Sequence, residues 1–264
     1  MSRLHLAFGC GQSMLAGTLD TAPAKTGLLL VSGGNELRSG AFSGQAQMAA
    51  RIAKAGFPVF RFDRRGIGDS EGENRGFEAS TKDIRAALDA FRAIAPAIEK
   101  VVGLGNCDAA SALMLAGGAG CDGLILSNPW TIEQAADGAG NESPLPPEAI
   151  RARYLAKLKN PRELWRLVSG GVNLRKLAGG ILGSVGKGSA PSGLAGRMAG
   201  GIAGYDGPVR FLLAGADRTA QIFTASWPSD DDRVMSCDGA SHAFVEDHAR
   251  KWYDMQILDA LRSV

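Results

Sequence analysis

Val101 to Leu115 reads VVGLGNCDAASALML, and the order of residue types in this stretch decides the fold. Val101–Leu104 is a short apolar run suited to a buried strand. It passes through Gly105, Asn106 and Cys107 directly into an apolar helix, Asp108–Ala116. A strand that becomes a helix with no intervening loop turns sharply and strains the backbone at its apex. The residues two before and two after that apex must be small for the two elements to pass closely. Gly105 and Ala109 meet the demand, and Cys107 stands at the apex, in a small-x-nucleophile-x-small pattern with Cys where Ser is usual and Ala109 where Gly is usual. At a helix N-terminus the macrodipole favours negative charge on a thiolate. The backbone N–H of Asp108 then points to where an oxyanion would form. The competing reading is a Cys that merely fills core space. In a chain with 36 glycines the pattern alone carries little weight, and its surroundings must decide.

Those surroundings alternate short apolar runs with amphipathic helices, the signature of a mostly parallel sheet with helices on both faces. Strands are expected at Leu4–Phe8 and Met14–Leu19, joined by a Gly9-Cys10-Gly11 turn, then at Gly27–Ser32, Pro58–Phe62, Lys100–Leu104, Gly123–Ser127, Val209–Ala214 and Arg233–Cys237. Helices are expected at Gln45–Ala55 (stopped by Gly56), at Asp83–Ala95 with Ile84, Leu88, Phe91 and Ile94 on one face, and from Val245 to Leu261. Strands Gly123–Ser127 and Val209–Ala214 are separated by far more chain than a crossover needs, which is roughly a dozen residues. Residues 128–205 therefore read as a helical cap, with helices at Glu148–Leu158 and Arg162–Val168, inserted in a core formed by 1–127 and 206–264. Gly179–Gly201 is so rich in small residues that a loop or poorly anchored helix is expected there.

One βα unit ahead of the Cys turn stands PVFRFDRRGIGDSEG, Pro58–Gly72. It resembles the D-x-R-G-x-G-x-S turn that follows the fourth strand in many α/β-hydrolases. Gly66 and Gly68 suit a tight turn, and Asp69 and Ser70 can bond backbone; Asp63 and Arg65 read as structural. The loop after Gly27–Ser32 takes the place of the oxyanion loop, with Ser32-Gly33-Gly34-Asn35 where many hydrolases have His-Gly. An N–H of Gly34 or Asn35 is the expected second oxyanion donor beside Asp108. Only three histidines occur, His5, His242 and His248. His242 lies after the last strand and before the final helix, where this fold delivers its base. Asp217, after the turn Ala214-Gly215-Ala216, is the expected acid, with Asp206 and Asp238 as rivals outside the strand end. The chain order Cys107, Asp217, His242 matches the Ser–Asp–His order of α/β-hydrolases.

A narrower resemblance rests on FPVFRFDRRGIGDSEG, GLGNCDAASALML, LSNPW (Leu126–Trp130), ELWRLVSGGVNLRKL, GPVRFLLAGADRTAQIF and GASHAF. Together these make the chain similar to exosortase A system-associated hydrolase 1, from about Gly27 to the end and most weakly in the Gly-rich part of the cap. The resemblance implies an α/β-hydrolase placed beside bacterial exopolysaccharide and PEP-CTERM machinery, and it supplies no substrate. The expected chemistry is hydrolysis of an ester or thioester through Cys107, His242 and Asp217 and an acyl-enzyme, on a small-molecule or acyl-carrier substrate. The alternatives are an acyltransferase using the same Cys, because a thioester yields readily to amines, alcohols and thiols, and an inactive binding protein that keeps the fold.

The composition limits other functions. Hydrophobic residues make up 45%, charged residues 21%, and the formal net charge is +2, so no strong field draws nucleic acid or an anionic membrane. No apolar run reaches the roughly 18–20 residues that span a bilayer, and MSRLHLAFGCGQSMLAGTLD lacks the features of a signal peptide. Cys10, Cys107, Cys121 and Cys237 have neither metal-ligand nor disulfide spacing, so a reducing cytoplasm is the expectation. No dinucleotide or phosphate loop occurs, and neither cofactor nor metal is expected. Arg38, Arg64 and Arg65 are placed near the expected mouth, where they would suit an acidic or polar substrate.

Overall fold

The computed structural model describes residues 2–132 and 193–264. Eight strands form one sheet: β1 (Arg3–Cys10), β2 (Ser13–Asp20), β3 (Thr26–Val31), β4 (Val59–Phe62), β5 (Lys100–Asn106), β6 (Gly123–Ser127), β7 (Val209–Ala214) and β8 (Val234–Cys237). Their spatial order is β1-β2-β4-β3-β5-β6-β7-β8, antiparallel at β1–β2 and β2–β4 and parallel from β4 to β8. This is the α/β-hydrolase arrangement expected from the sequence. Among the described residues the α-helices are α1 (Gly44–Lys54), α2 (Thr81–Ile94), α3 (Asp108–Leu115), α4 (Gly193–Ile202), α5 (Arg218–Ser226) and α6 (Asp247–Ser263).

Successive side chains on a strand point to opposite faces, and the central strands are apolar on both. Leu28 and Leu30 of β3 join Val102, Leu104, Ile125 and Leu212 under α1 and α6. Leu29 and Val31 point the other way, to Phe60, Phe62, Phe91, Leu113 and Phe211 under α2 to α5. Phe60 stacks on Phe91 with centroids 5.5 Å apart and meets Phe8 at a tilt at 5.7 Å. Two filled faces leave only the strand ends for chemistry, and the carboxyl ends of β5, β7 and β8 lead into the loops carrying Cys107, Asp217 and His242.

Several expectations change in detail. Gly9 and Cys10 belong to β1, and the hairpin turns at Gly11 and Gln12 because Cys10 pairs with Ser13. Ile94 is 40% exposed and does not continue the buried face of Ile84, Leu88 and Phe91, because α2 ends there. The small-residue stretch ends in an anchored helix: Leu194, Ala195, Met198 and Ile202 are buried, and Gly201 lies so close to the Met114 carbonyl that a Cβ would stand 2.2 Å from it. Glycine here is a packing requirement of α4 against α3, which composition alone cannot signal. Helix α4 thus packs on the core while lying within the span read as cap. The helices expected at Glu148–Leu158 and Arg162–Val168 lie outside the described residues.

Candidate active site

Cys107 sits at φ 61°, ψ −127°, a backbone conformation costly for any residue with a side chain. Neighbouring backbone holds it there. Its N–H donates to the Ser127 carbonyl (2.9 Å), and its own carbonyl accepts from Ala110 and Trp130 (3.1 and 3.3 Å). A Cβ on Gly105 would stand 2.6 Å from the Ala109 carbonyl carbon and the Ala110 nitrogen, so a small residue is required where the sequence pattern asked for one.

The turn after β7 makes Asp217 the N-cap of α5. Its Oδ2 accepts from Ala220 N–H (3.1 Å) and from His242 Nδ1 (2.9 Å). Burial pushes the Asp217 carboxyl up, but the hydrogen bond and charge of His242 and the Ala220 and Thr219 N–H groups outweigh it, leaving the group below its ordinary value. His242 is pushed up to about 10 by its hydrogen bond to Asp217 and by the nearby Cys107 and Asp217 groups, against the desolvation that opposes them. At neutral pH the imidazole is therefore a cation beside the Asp217 carboxylate. Of the rival acids, Asp238 accepts from exposed His248 at its main-chain carbonyl (3.0 Å), and His242 Nδ1 is bound to Asp217. His5 meets Thr18 in the β1–β2 hairpin.

The other three cysteines are buried. Burial pushes Cys121 up to about 12 and raises Cys10 and Cys237, which keeps all three as inert thiols. Cys107 is the partly exposed one.

The loop after β3 holds a feature absent from the sequence reading. Both carboxylate oxygens of Asp108 lie 2.7 Å from the Gly34 nitrogen. Gly33 accommodates this carboxylate, since a Cβ there would stand 2.4 Å from Asp108 Oδ1. Arg64, 5% exposed, donates to the Gly34 carbonyl and lies 3.8 Å from Asp108. The Gly34 N–H is thus committed to a side chain. The Asn35 main chain and the Asp108 N–H, an orphan donor in the first turn of α3, are the expected donors without such a commitment.

The three arginines have partners among the described residues. The Arg38 guanidinium is bound to buried Asp63 and to Asp69 (3.1 Å), Arg65 Nε meets Asp83 (2.6 Å), and Arg64 is buried. Gly68, at φ 55°, curls the loop around Asp63 as the D-x-R-G-x-G-x-S pattern predicts. Ser70 bonds backbone, donating to the Asp63 carbonyl (2.7 Å) and accepting from Ala16 N–H (2.9 Å). Asp69 pairs with Arg38 instead of capping backbone. An open cavity of about 760 Å³ between the hairpin and α2, lined by Cys10, Arg65, Lys82 and Arg85, includes none of Cys107, Asp217 and His242.

Two amides, Asn106 and Asn128, also reach the His242 loop, and residue-type reasoning missed both. The available signal was LSNPW: an Asn before Pro at a strand end is a side chain that tolerates unusual backbone.

A sequence model of the alpha/beta hydrolase family matches residues 28–255. Among solved structures, the alpha/beta hydrolase GrgF from Penicillium sp. sh18 is similar over 100% of this chain and 99% of its own, at 16% identity and TM-score 0.64. The Pyrococcus furiosus esterase Pf2001 is similar over 99% and 91%, at 13% identity and TM-score 0.62. Proline iminopeptidase from Mycobacterium smegmatis is similar over 98% and 99%, at 16% identity and TM-score 0.58. No curated protein matches the chain in sequence. At such identities the structural likenesses speak for the fold alone, because one fold hosts many chemistries.

Proposed function

The chain belongs to the alpha/beta hydrolase family, and from that premise we propose that it hydrolyses an ester or thioester through Cys107, His242 and Asp217. The observation that carries the proposal is the contact of His242 with Asp217 at the strand ends beside the strained Cys107 turn. His242 bonds Asp217 at 2.9 Å through Nδ1, and Cys107 acts on the same imidazole, raising its pKa together with Asp217. That is the nucleophile–base–orienter arrangement of covalent acyl transfer.

In this mechanism the attacking pair is the Cys107 thiolate and the His242 imidazolium. The thiolate attacks the acyl carbonyl, and N–H groups of Asp108 and Asn35 receive the developing oxyanion, with Gly34 as the alternative donor once Asp108 releases it. His242 gives its proton to the departing oxygen or sulfur, leaving a thioester on Cys107 and a neutral imidazole. That imidazole removes a proton from water, which attacks the thioester. Collapse releases the carboxylic acid and restores the thiolate–imidazolium pair. Asp217 stays ionised throughout and stabilises the cation. Among the described residues no group of three His, Cys, Asp or Glu side chains is arranged to hold a metal, and no step needs one.

The nucleophile being Cys favours one second reading, an acyltransferase that passes the same thioester to an amine, alcohol or thiol. The resemblance to exosortase A system-associated hydrolase 1 places the proposed activity beside bacterial exopolysaccharide machinery, and the proposed substrates are small acyl esters or acyl-carrier thioesters. No helix among the described residues is long and apolar enough to cross a membrane, and the proposed setting is the cytoplasm.

The test is burst and steady-state release from short p-nitrophenyl acyl esters, with intact-protein mass, for wild type and Cys107→Ala. The expected result is a burst and an acyl mass on wild type, both absent from the variant. Equal turnover by the two proteins would refute Cys107 as nucleophile. Product that rises with added acceptor would favour transfer. Ligand binding with neither turnover nor adduct would favour a binding protein.

A further inference from the structure

Asn128 follows β6 and is buried at 0% exposure, with φ 42° in the left-handed region. Pro129 follows it, and a residue before proline ordinarily stays extended. A buried amide in a costly backbone state persists only where surrounding bonds over-determine it. Here they do: Asn128 Oδ1 accepts from Ala214 N–H (2.8 Å), and Nδ2 donates to the His242 carbonyl (3.0 Å) and to Asn106 Oδ1 (3.0 Å). Asn106 Nδ2 donates to the same His242 carbonyl (3.2 Å). The network admits one amide orientation, since Ala214 N–H needs an oxygen and the His242 carbonyl needs an N–H.

We propose that Asn128 is the positioning residue of His242: with Asn106 it grips the His242 main-chain carbonyl, so that the imidazole meets Asp217 and Cys107 together. The proposal rests on the reading of these three residues as a triad. The geometry ties all three loops to one point. Asn128 N–H donates to Leu212 O (3.1 Å) and its side chain engages Ala214, whose carbonyl accepts the Asp217 N–H (3.0 Å). The preceding residue, Ser127, accepts the Cys107 N–H at its carbonyl. The Ser127 hydroxyl also bonds Tyr253 OH (2.8 Å), and the Tyr253 ring stacks on Phe244, two residues beyond His242, at 4.4 Å. The His242 loop is therefore held from both sides by the two residues that end β6 and leave it. The handle is on the backbone, which leaves both ring nitrogens for chemistry.

The test uses the full chain, with Asn128→Gly, which keeps the left-handed backbone but loses the amide, and Asn128→Asp, which keeps the acceptor for Ala214 but loses both donors. Imidazole titration by NMR reads the effect without turnover, and His5→Gln with His248→Gln isolates the His242 signal. In both Asn128 variants the His242 midpoint is expected to fall from about 10 toward its ordinary 6.5, as contact with Asp217 and Cys107 loosens. For p-nitrophenyl acetate, kcat is expected to fall roughly 100-fold, as for misplacement by about 1 Å, with KM within about twofold. A folded Asn128→Gly protein with unshifted titration and full kcat would overturn the proposal. If that variant does not fold, Asn106→Ala removes one of the two donors to the carbonyl and must lower the same midpoint; an unmoved midpoint overturns the proposal equally. Failure of the triad reading is visible separately, as activity surviving Cys107→Ala.

Discussion

Gly105→Ala tests whether the Cys107 turn depends on strand and helix touching. The new Cβ would stand 2.6 Å from the Ala109 carbonyl carbon and Ala110 nitrogen, and 2.7 Å from the Ala109 oxygen. Ordinary contact begins near 3.4 Å, so β5 and the first turn of α3 must separate by roughly 0.8 Å, and all the obstructing atoms are backbone without a rotamer to yield. Overpacking of this kind costs about 1–3 kcal/mol. Removing a glycine from the unfolded chain returns about 0.4–1 kcal/mol, so a net loss of about 1–2 kcal/mol is expected by urea denaturation. Activity is expected to suffer more than stability, because Cys107 and the Asp108 N–H ride on the atoms that move. A displacement approaching 1 Å costs about 100-fold in rate. The assays are kcat on p-nitrophenyl acetate and the rate of Cys107 alkylation by iodoacetamide. Gly9→Ala is the control, with nothing within 4 Å of its added Cβ and an expected change within about 0.5 kcal/mol. A folded Gly105→Ala protein with wild-type midpoint, kcat and alkylation rate would refute the close-approach argument.

The Asp217–His242 pair gives stability a pH signature. His242 is raised from 6.5 to about 10, so its contribution is complete below pH 6.5 and lost as pH rises through about 10; Asp217 is lowered from 3.8, so its contribution is present above 3.8 and lost as pH falls through its folded value. The difference in Tm between wild type and Asp217→Asn should therefore be largest near pH 5–6 and shrink toward pH 10.5, and a constant difference across that range would contradict the pairing. Asp108→Ala removes a charge-assisted acceptor from Gly34 N–H and the partner of buried Arg64. A stability loss of about 1.5–3 kcal/mol is expected in urea, with faster amide hydrogen exchange at Gly34; unchanged exchange would show that the carboxylate does not hold the loop.

Much of the candidate site was legible because its parts are local. A strand that meets a helix through Gly-x-Cys-x-Ala, and Gly68 in the loop around Asp63, are constraints between residues a few positions apart. Asp217 and His242 were legible for another reason: chain order through a parallel sheet delivers loops to one edge, and histidine is scarce. Their contact at 2.9 Å spans 25 positions, and only the folded chain makes it.

The sequence by itself determined the α/β alternation, the two apolar faces of the central strands, the Cys107 turn and the order of the candidate triad, because these follow from residue volume, hydrophobic period and backbone sterics. The tertiary structure alone decided which polar groups are already engaged. It set the Asp108 carboxylate on Gly34, closed Arg38 and Arg65 into ion pairs, buried α4 against α3, and joined Asn106 and Asn128 to the His242 carbonyl. A hydrogen bond fixes distance and direction between particular atoms, and residues far apart in the chain acquire those only when the sheet brings their strand ends together.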